Sequence, residues 1–342
     1  MVGEIRTARK LADLRKMLDG KSAMLIGLQD NPDPDAFGAA AALRKLANDQ
    51  AGVHCSLACG GTVGRSENRA MVRYLNLNLH PMGQVDWGRY DVVALVDTQP
   101  GQGNNSVPGW IGPDVIIDHH PMRHESRRVP FTDIRSRYGA TCTILTEYLR
   151  EAHATPEPAL ATALLYGIRS DTQDFGRETT QADIEAHRWL YDLANKRMLG
   201  VIQRGEVPSD YFRLLAAALN SARLCGRCIY CDLGEVDNPD MIAEVADLLL
   251  RHEDAEWSAC WGVHGGRILL SVRTIATDGD AGLVARKIVS RRGTGGGHHT
   301  MAGGQIPLPN TNGRGRQALS RLIRQRFLRV TGNDQAPCQK LI

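Results

Sequence analysis

Through the first half of the chain, short apolar runs alternate with stretches of helical periodicity, a pattern that predicts a parallel sheet covered by helices on both faces. Three runs stand out: residues 23–28 (AMLIGL), 92–96 (VVALV) and 115–117 (VII). Each stops at a polar cluster. The first is followed by QDNPDPDAFGAAAALRKLAND, where Pro32 and Pro34 enforce an extended turn and residues 36–47 propagate as an alanine-rich helix. The second runs into DTQPGQGNN and the third into DHHP. In an open α/β sheet the ligand site lies beyond the carboxyl ends of the strands, so polar groups at three such ends are expected to meet.

From Glu157 the segment PALATALLYGIRSDTQDF reads as a helix that delivers Asp171 at its end. Helical patterning continues to residue 222. Beyond it, CIYCDLGEV, SACWGVHGGRILLSVRT and AGGQIPL read as strands. MIAEVADLLLRH, DAGLVARKIVSRR and GRQALSRLIRQRFLRV read as helices, which makes a smaller α+β domain. The expected boundaries are a first domain over 1–195, a helical linker over 196–222, a second domain over 223–332 and a loose tail over 333–342. Cys225, Cys228 and Cys231 are expected on one strand with alternating faces, which argues against a metal site, and all eight cysteines are expected to stay thiols.

With 342 residues, 42% of them hydrophobic and 23% charged, the composition is that of a globular protein of two domains. The net charge of +3 conceals a segregation: residues 281–330 hold ten Lys and Arg and no Asp or Glu, while residues 1–280 sum to −7. No apolar run reaches the roughly 18 residues a membrane span needs, and the first residues lack a signal-peptide core. The expectation is a cytoplasmic protein with no membrane partner.

Asp33, Asp35, Asp97, Asp118, His119, His120 and Asp171 all fall where the predicted strand and helix ends converge. Carboxylates gathered in one crevice repel one another unless cations neutralise them. Oxygen donors with a minority of imidazole suit manganese or magnesium better than zinc, cobalt or iron. Two such ions would clamp a phosphate and activate water for its in-line displacement. Taken singly the signals are weak, since an aspartate at a strand end is commonly a cap or a turn former, the reading preferred for Asp30 and Asp114.

A second cluster, GTGGGHHTMAGG (293–304), is rich enough in glycine for backbone N–H groups to form an anion-binding nest at Gly295, Gly296 and Gly297, with His298 and His299 as donors. Arg286, Lys287, Arg291 and Arg292 precede it, and Arg314, Arg316, Arg321, Arg324, Arg326 and Arg329 follow. Some of these arginines belong to a solvated helix face.

NPDPDAFG (31–38), VALVDTQP (93–100), VIIDHHP (115–121), GIRSDT (167–172) and GTGGGHHTMAGG occur in an order and spacing that resemble the DHH phosphoesterases, specifically the subfamily with a DHH-associated C-terminal domain. The resemblance implies a doubly wound parallel-sheet catalytic domain over 1–195, a substrate-binding domain over 223–332, and an active site in the cleft between them. It implies two divalent ions, manganese first, with magnesium or cobalt as alternatives. By motif, Asp33 would bind the first ion, Asp35 the second, and Asp97 would bridge both. His119 and Asp171 would complete the second site. His120 would stand near the scissile phosphate, with Asp118 orienting the histidines. Gly295, Gly296, Gly297, His298, His299 and Arg273 would hold the substrate. One position departs from the family's pattern: Gln29 stands where a histidine is usual, so the first ion should be held less tightly or borrow a ligand such as His124.

The architecture is most similar to that of nanoRNase/pAp phosphatases, which implies hydrolysis of short oligonucleotides or of 3′-phosphoadenosine 5′-phosphate. An extra oligonucleotide-binding domain of the kind larger RecJ exonucleases carry is missing from the pattern, and aromatic residues are only 5% of the chain, so long duplex nucleic acid is not an expected partner. Inorganic pyrophosphatases, whose C-terminal domain lacks the GGGH segment, are a poorer match. Two alternatives stay open: hydrolysis of a cyclic dinucleotide or its linear product, and a catalytically impaired nucleotide-binding regulator suggested by Gln29. A homodimer also stays open.

Overall fold

The structure is a computed structural model that describes the backbone of residues 2–308 and 313–342 and the side chains of 5–308 and 315–342, so Arg314 lies outside the described side chains. Two units are formed by Met1–Glu206 and Val207–Ile342, divided inside the helical stretch that the sequence pattern assigns to a linker.

The first unit runs α1 (Val2–Leu18), β1 (Ala23–Gly27), α2 (Pro34–Ala51), β2 (His54–Cys59), α3 (Ser66–Tyr74), β3 (Leu79–Pro81), β4 (Val92–Val96), β5 (Val115–Asp118) and β6 (Phe131–Ile134). It continues with α4 (Thr141–Glu151), α5 (Pro158–Asp171), α6 (Gln181–Leu193) and α7 (Lys196–Arg204). The strands lie in the order β3-β2-β1-β4-β5-β6, all parallel. Strand order reverses between β1 and β4, and this switch point is where loops from opposite windings diverge and leave a crevice.

The sheet is doubly wound in strand order, but its two faces are covered differently. Met24, Ile26, Val92, Ala94, Val115 and Ile117 point to one face, where they pack with side chains of all seven helices in one core. On the other face Leu25, Ala58 and Met82 meet Val85, Trp87, Tyr90 and Val107 from short 3-10 turns and loops rather than from helices. Pattern reading foresees helices on both faces. The connections on the second face are too short in apolar periodicity to sustain them.

α2 and α5 approach closely because glycine stands at the contact. A Cβ on Gly38 would lie 2.7 Å from Cys142 Sγ, and one on Gly167 would lie 2.6 Å from the same sulfur and 3.1 Å from Asp35 Cα. This contact places the C-terminal end of α5, carrying Asp171, beside the N-terminal end of α2, carrying Asp35.

The second unit comprises α8 (Ser209–Ser221), β7 (Arg223–Cys225), β8 (Cys228–Glu235), α9 (Asp240–Leu249), β9 (Trp257–His264), β10 (Arg267–Thr274), α10 (Ala281–Val289), β11 (Thr294–Gly297), β12 (Met301–Pro307), α11 (Gly313–Val330) and β13 (Cys338–Lys340). Its mixed sheet has the order β11-β12-β10-β9-β8-β7-β13, with β8 and β9 the parallel pair. Three sequence expectations are corrected here. RLCGRCIYC is a hairpin, not one strand, because Gly226 takes a left-handed φ of 57° and turns the chain, so Cys225 faces Cys228 across the pair. The closing residues are not loose: β13 pairs antiparallel with β7. Cys225 and Cys338 form a disulfide across that pairing, while the other six cysteines remain thiols. Among the described residues no helix is long and apolar enough to cross a membrane.

Gly167→Ala should lower stability by about 1–3 kcal/mol, because the added methyl has to displace Cys142 or the α2 backbone. Urea unfolding measures this, and a midpoint equal to the parent's would show that the helix contact has slack.

Candidate metal centre

Asp33 and Asp35 owe their positions to the start of α2. Pro34 is the first helical residue, and Asp33, in extended conformation before it, caps the helix by accepting the Ala36 N–H at Oδ1, 3.0 Å. Asp35 then points inward from the first turn. Its oxygens accept the backbone N–H groups of Thr141 and Cys142, both at 2.7 Å, so one buried carboxylate also caps α4. Asp97 follows β4 at the switch point with φ of 60°, a left-handed conformation that aspartate tolerates better than most residues. It is 1% exposed, and its Oδ1 accepts from the Thr141 hydroxyl at 2.9 Å.

The two histidines after β5 are oriented by different partners. His119 Nδ1 lies 3.1 Å from the Tyr138 carbonyl, which only accepts, so Nδ1 carries a hydrogen and Nε2 is the nitrogen that presents a lone pair when the ring is neutral. Nε2 is buried, lies 3.0 Å from Asp171 Oδ2 and 3.7 Å from Asp97 Oδ1, and makes no hydrogen bond. His120 Nδ1 bonds Asp118 Oδ1 at 2.8 Å, and the two imidazoles meet edge to face at 4.5 Å between centroids. Asp118 thus contacts His120, whereas His119 is set by Tyr138.

Two groups result in which the donor atoms lie within 4.8 Å of one another: Asp35, His119 and Asp171, and Asp97, His119 and His120. A divalent cation fits them, because an unpartnered, buried imidazole nitrogen among carboxylates is the donor set such an ion takes. Asp33 and Gln29 stand beside these groups, hydrogen-bonded to each other at 2.9 Å. His124 is exposed and belongs to neither group, so it does not replace the missing imidazole.

The electrostatics express the crowding. Burial and then the Asp171 charge raise Asp35 to about 6. Burial and the charges of Asp35 and Asp33 push Asp97 well above the usual carboxylate range, and Asp33 is raised by burial and by Asp171. Burial opposes charge on His119, but Asp171, Asp35 and Asp118 outweigh it and hold the imidazole up at about 10.

Residues that sequence reading passed over complete the site. Gln99 is fully buried; it donates to Asp118 Oδ2 at 2.6 Å and accepts at Oε1 from the Arg123 N–H and the Ser126 hydroxyl. Asp183 accepts from the Gly139 N–H, the Thr143 hydroxyl and Thr180, anchoring α6 to the loop before α4. Asp30 and Asp114, expected as caps or turn formers, instead tie distant segments: Asp30 accepts from Ser106 and Asp114 from the Val93 N–H.

The candidate substrate residues sit in the second unit. Gly295, Gly296 and Gly297 are not a nest; they pair with Gly304, Gly303 and Ala302 as an edge strand. Gly297 has φ of 149°, and a Cβ there would lie 2.5 Å from the Met301 carbonyl oxygen. The carbonyls of His298 and His299 accept the first N–H groups of α10. Arg273 pairs with Asp247 and also donates to Ser271 and the Val272 carbonyl, so its guanidinium is already engaged.

Stripped of cations, the folded chain holds protons that the unfolded chain releases, because Asp33, Asp35, Asp97 and His119 are all raised. Their stabilising contribution is complete below the unfolded values and is lost as pH rises through the folded ones. In chelator, stability should fall by about 1–3 kcal/mol from about pH 5 to about pH 9, with a shallower slope in Asp35→Asn. Urea midpoints across that range test this, and a rising profile would contradict it.

Residues 23–168 match the DHH family N-terminal domain and residues 226–325 the DHHA1 domain. An uncharacterized protein of Methanocaldococcus jannaschii is 35% identical over 324 residues, 90% of this chain and 66% of that one. A probable manganese-dependent inorganic pyrophosphatase of Enterococcus faecalis is 27% identical over 180 residues, 52% of this chain and 58% of that one. This chain thus spans 66% and 58% of the lengths of these two relatives. In fold it is similar to an exopolyphosphatase-related protein from Bacteroides fragilis, with a TM-score of 0.72 at 12% identity over 94% of this chain and 98% of that one. With its aspartates and paired histidines at the switch point of the parallel sheet and the two domains in this order, the chain belongs to the DHH family.

Proposed function

We propose that the chain is a divalent-metal-dependent phosphoester hydrolase acting on short oligonucleotides or on 3′-phosphoadenosine 5′-phosphate. The observation that carries this reading is the buried, unpartnered Nε2 of His119 among the carboxylates of Asp35, Asp97 and Asp171. Asp35, His119 and Asp171 would hold a divalent ion, which would supply a water acidic enough to attack near neutral pH and would offset charge on the phosphoryl oxygens. Manganese is the metal proposed, supported by the donor chemistry and by the similarity to the probable manganese-dependent inorganic pyrophosphatase of Enterococcus faecalis.

The remaining roles fall to groups of this chain. Asp118 and Gln99 hold His120 at its Nδ1 side, leaving Nε2 as the atom that exchanges a proton with the leaving oxygen. The Tyr138 carbonyl keeps His119 Nε2 directed at the carboxylates. Phosphates away from the reacting one are assigned to His298, His299 and the basic residues around them. Arg273 would have to leave Asp247 to contribute.

A nucleotide-binding regulator without turnover is the second reading, motivated by the amide that Gln29 presents to Asp33. The deciding experiment is release of mononucleotide from a labelled dinucleotide with manganese, alongside 3′-phosphoadenosine 5′-phosphate, a cyclic dinucleotide and pyrophosphate. Turnover of the dinucleotide or of 3′-phosphoadenosine 5′-phosphate supports the hydrolase. Nucleotide binding without turnover in any divalent metal supports the regulator.

Asp97→Ala should reduce turnover by roughly a hundredfold or more, and Asp118→Asn by about 10–100-fold through a misoriented His120. Steady-state rates at saturating manganese measure both, and activity within a few-fold of the parent would contradict the assignments. For His298→Ala the expected change is a higher KM with manganese affinity preserved.

A further inference from the structure

The space between Asp33 and Asp97 is bridged by protein. Gln29 Nε2 donates to Asp33 Oδ2 at 2.9 Å and lies 3.4 Å from Asp97 Oδ2, while Gln29 Oε1 accepts from Asn104 Nδ2 at 3.0 Å. Asn104 Oδ1 accepts from the Thr98 hydroxyl at 2.7 Å, and that hydroxyl accepts from Asn105 Nδ2 at 2.9 Å. The Asn104 carbonyl accepts the Asp30 N–H at 2.6 Å, which ties the loop after β4 to the residues after β1.

As hydrogen-bonded here, Gln29 faces Asp33 and Asp97 with its NH2 while its oxygen is taken by Asn104. Turning the Gln29 amide over by itself would set its NH2 against the NH2 of Asn104 and undo both contacts to the acid side chains. A metal ligand must offer a lone pair, and the amide nitrogen facing the carboxylates has none to give. Asp33 has its other oxygen engaged by the helix cap.

The opposite side of the pocket differs. Asp35, His119 and Asp171 converge, and His119 Nε2 has no partner. One side is satisfied by a neutral hydrogen-bond donor, the other holds a buried imidazole nitrogen with no hydrogen-bond partner.

We propose that Gln29 takes the place of one metal ion, so that the centre keeps a single resident divalent cation on Asp35, His119 and Asp171, with Asp97 alongside. The inference rests on the metal-dependent reading above and narrows it. A second ion enters only by breaking the Gln29–Asp33 hydrogen bond, and so binds at least about tenfold more weakly than the first, a difference of about 1.4 kcal/mol.

The test uses the full chain, freed of metal by chelation and titrated with Mn2+, with stoichiometry read by calorimetry and ion environment by electron paramagnetic resonance. One tightly bound ion per chain with the six-line spectrum of isolated Mn2+ is expected. Gln29→His, which supplies an imidazole lone pair, should bind two ions of similar affinity and show an exchange-coupled spectrum. Asn104→Ala, which releases the amide without adding a ligand, should tighten the second ion several-fold. Two tight, coupled ions in the unaltered chain would overturn the inference and leave the metal-dependent reading standing. No binding of Mn2+ at all would overturn both, and a Gln29→His protein that still holds one ion would show that Gln29 is not what excludes the second.

Discussion

The first unit is organised around like charge in a desolvated place. Asp33, Asp35, Asp97, Asp118 and Asp171 come to the switch point of the sheet because loops on either side of β1 and β4 diverge there. Water is too scarce at this position to screen them. Counter-charge has to come from within or from a bound cation, and the surroundings supply what the fold can: amide N–H groups on Asp35, hydroxyl and amide donors on Asp97 and Asp118, an imidazole between Asp97 and Asp171. The glycine contact between α2 and α5 serves the same end, since a wider separation of these helices would carry Asp171 away from Asp35.

Legibility from sequence followed the strength of the local signal. β4 is a run of five apolar residues, buried at every position, and its end could be read directly, so Asp97 was foreseen. The carboxylates and histidines were visible because each stands at an element boundary. Gln99, Asn104, Thr141 and Asp183 were not, because isolated polar side chains carry no periodic signature and their partners lie up to 106 positions away. The glycine run reads as a nest from sequence, since glycine lacks the side-chain alternation that identifies strands. Pairing with Gly303 and Gly304 decides the matter. The disulfide was hidden for a similar reason: 113 residues separate its cysteines, and spacing alone says nothing about contacts at that range.

Asp35 shows why structural and chemical roles are hard to separate by mutation. Its carboxylate is at once a candidate ligand and the acceptor for the first two N–H groups of α4. Removing it leaves two buried donors unsatisfied, at about 1–3 kcal/mol each, whether or not an ion is bound. Asparagine keeps one acceptor and so disturbs α4 less than alanine does. Asp118 poses a milder form of the problem, because Gln99 would lose an acceptor along with His120.

In the second unit β7, the first strand of the sheet in chain order, and β13, the last, are neighbours joined by a covalent bond. The bond ties the segment after α11 to the strand that follows α8, across 113 positions of sequence. Residues 338–340 therefore act as a clasp: opening the edge of this sheet requires the β13–β7 pairing to part while its two strands stay covalently joined.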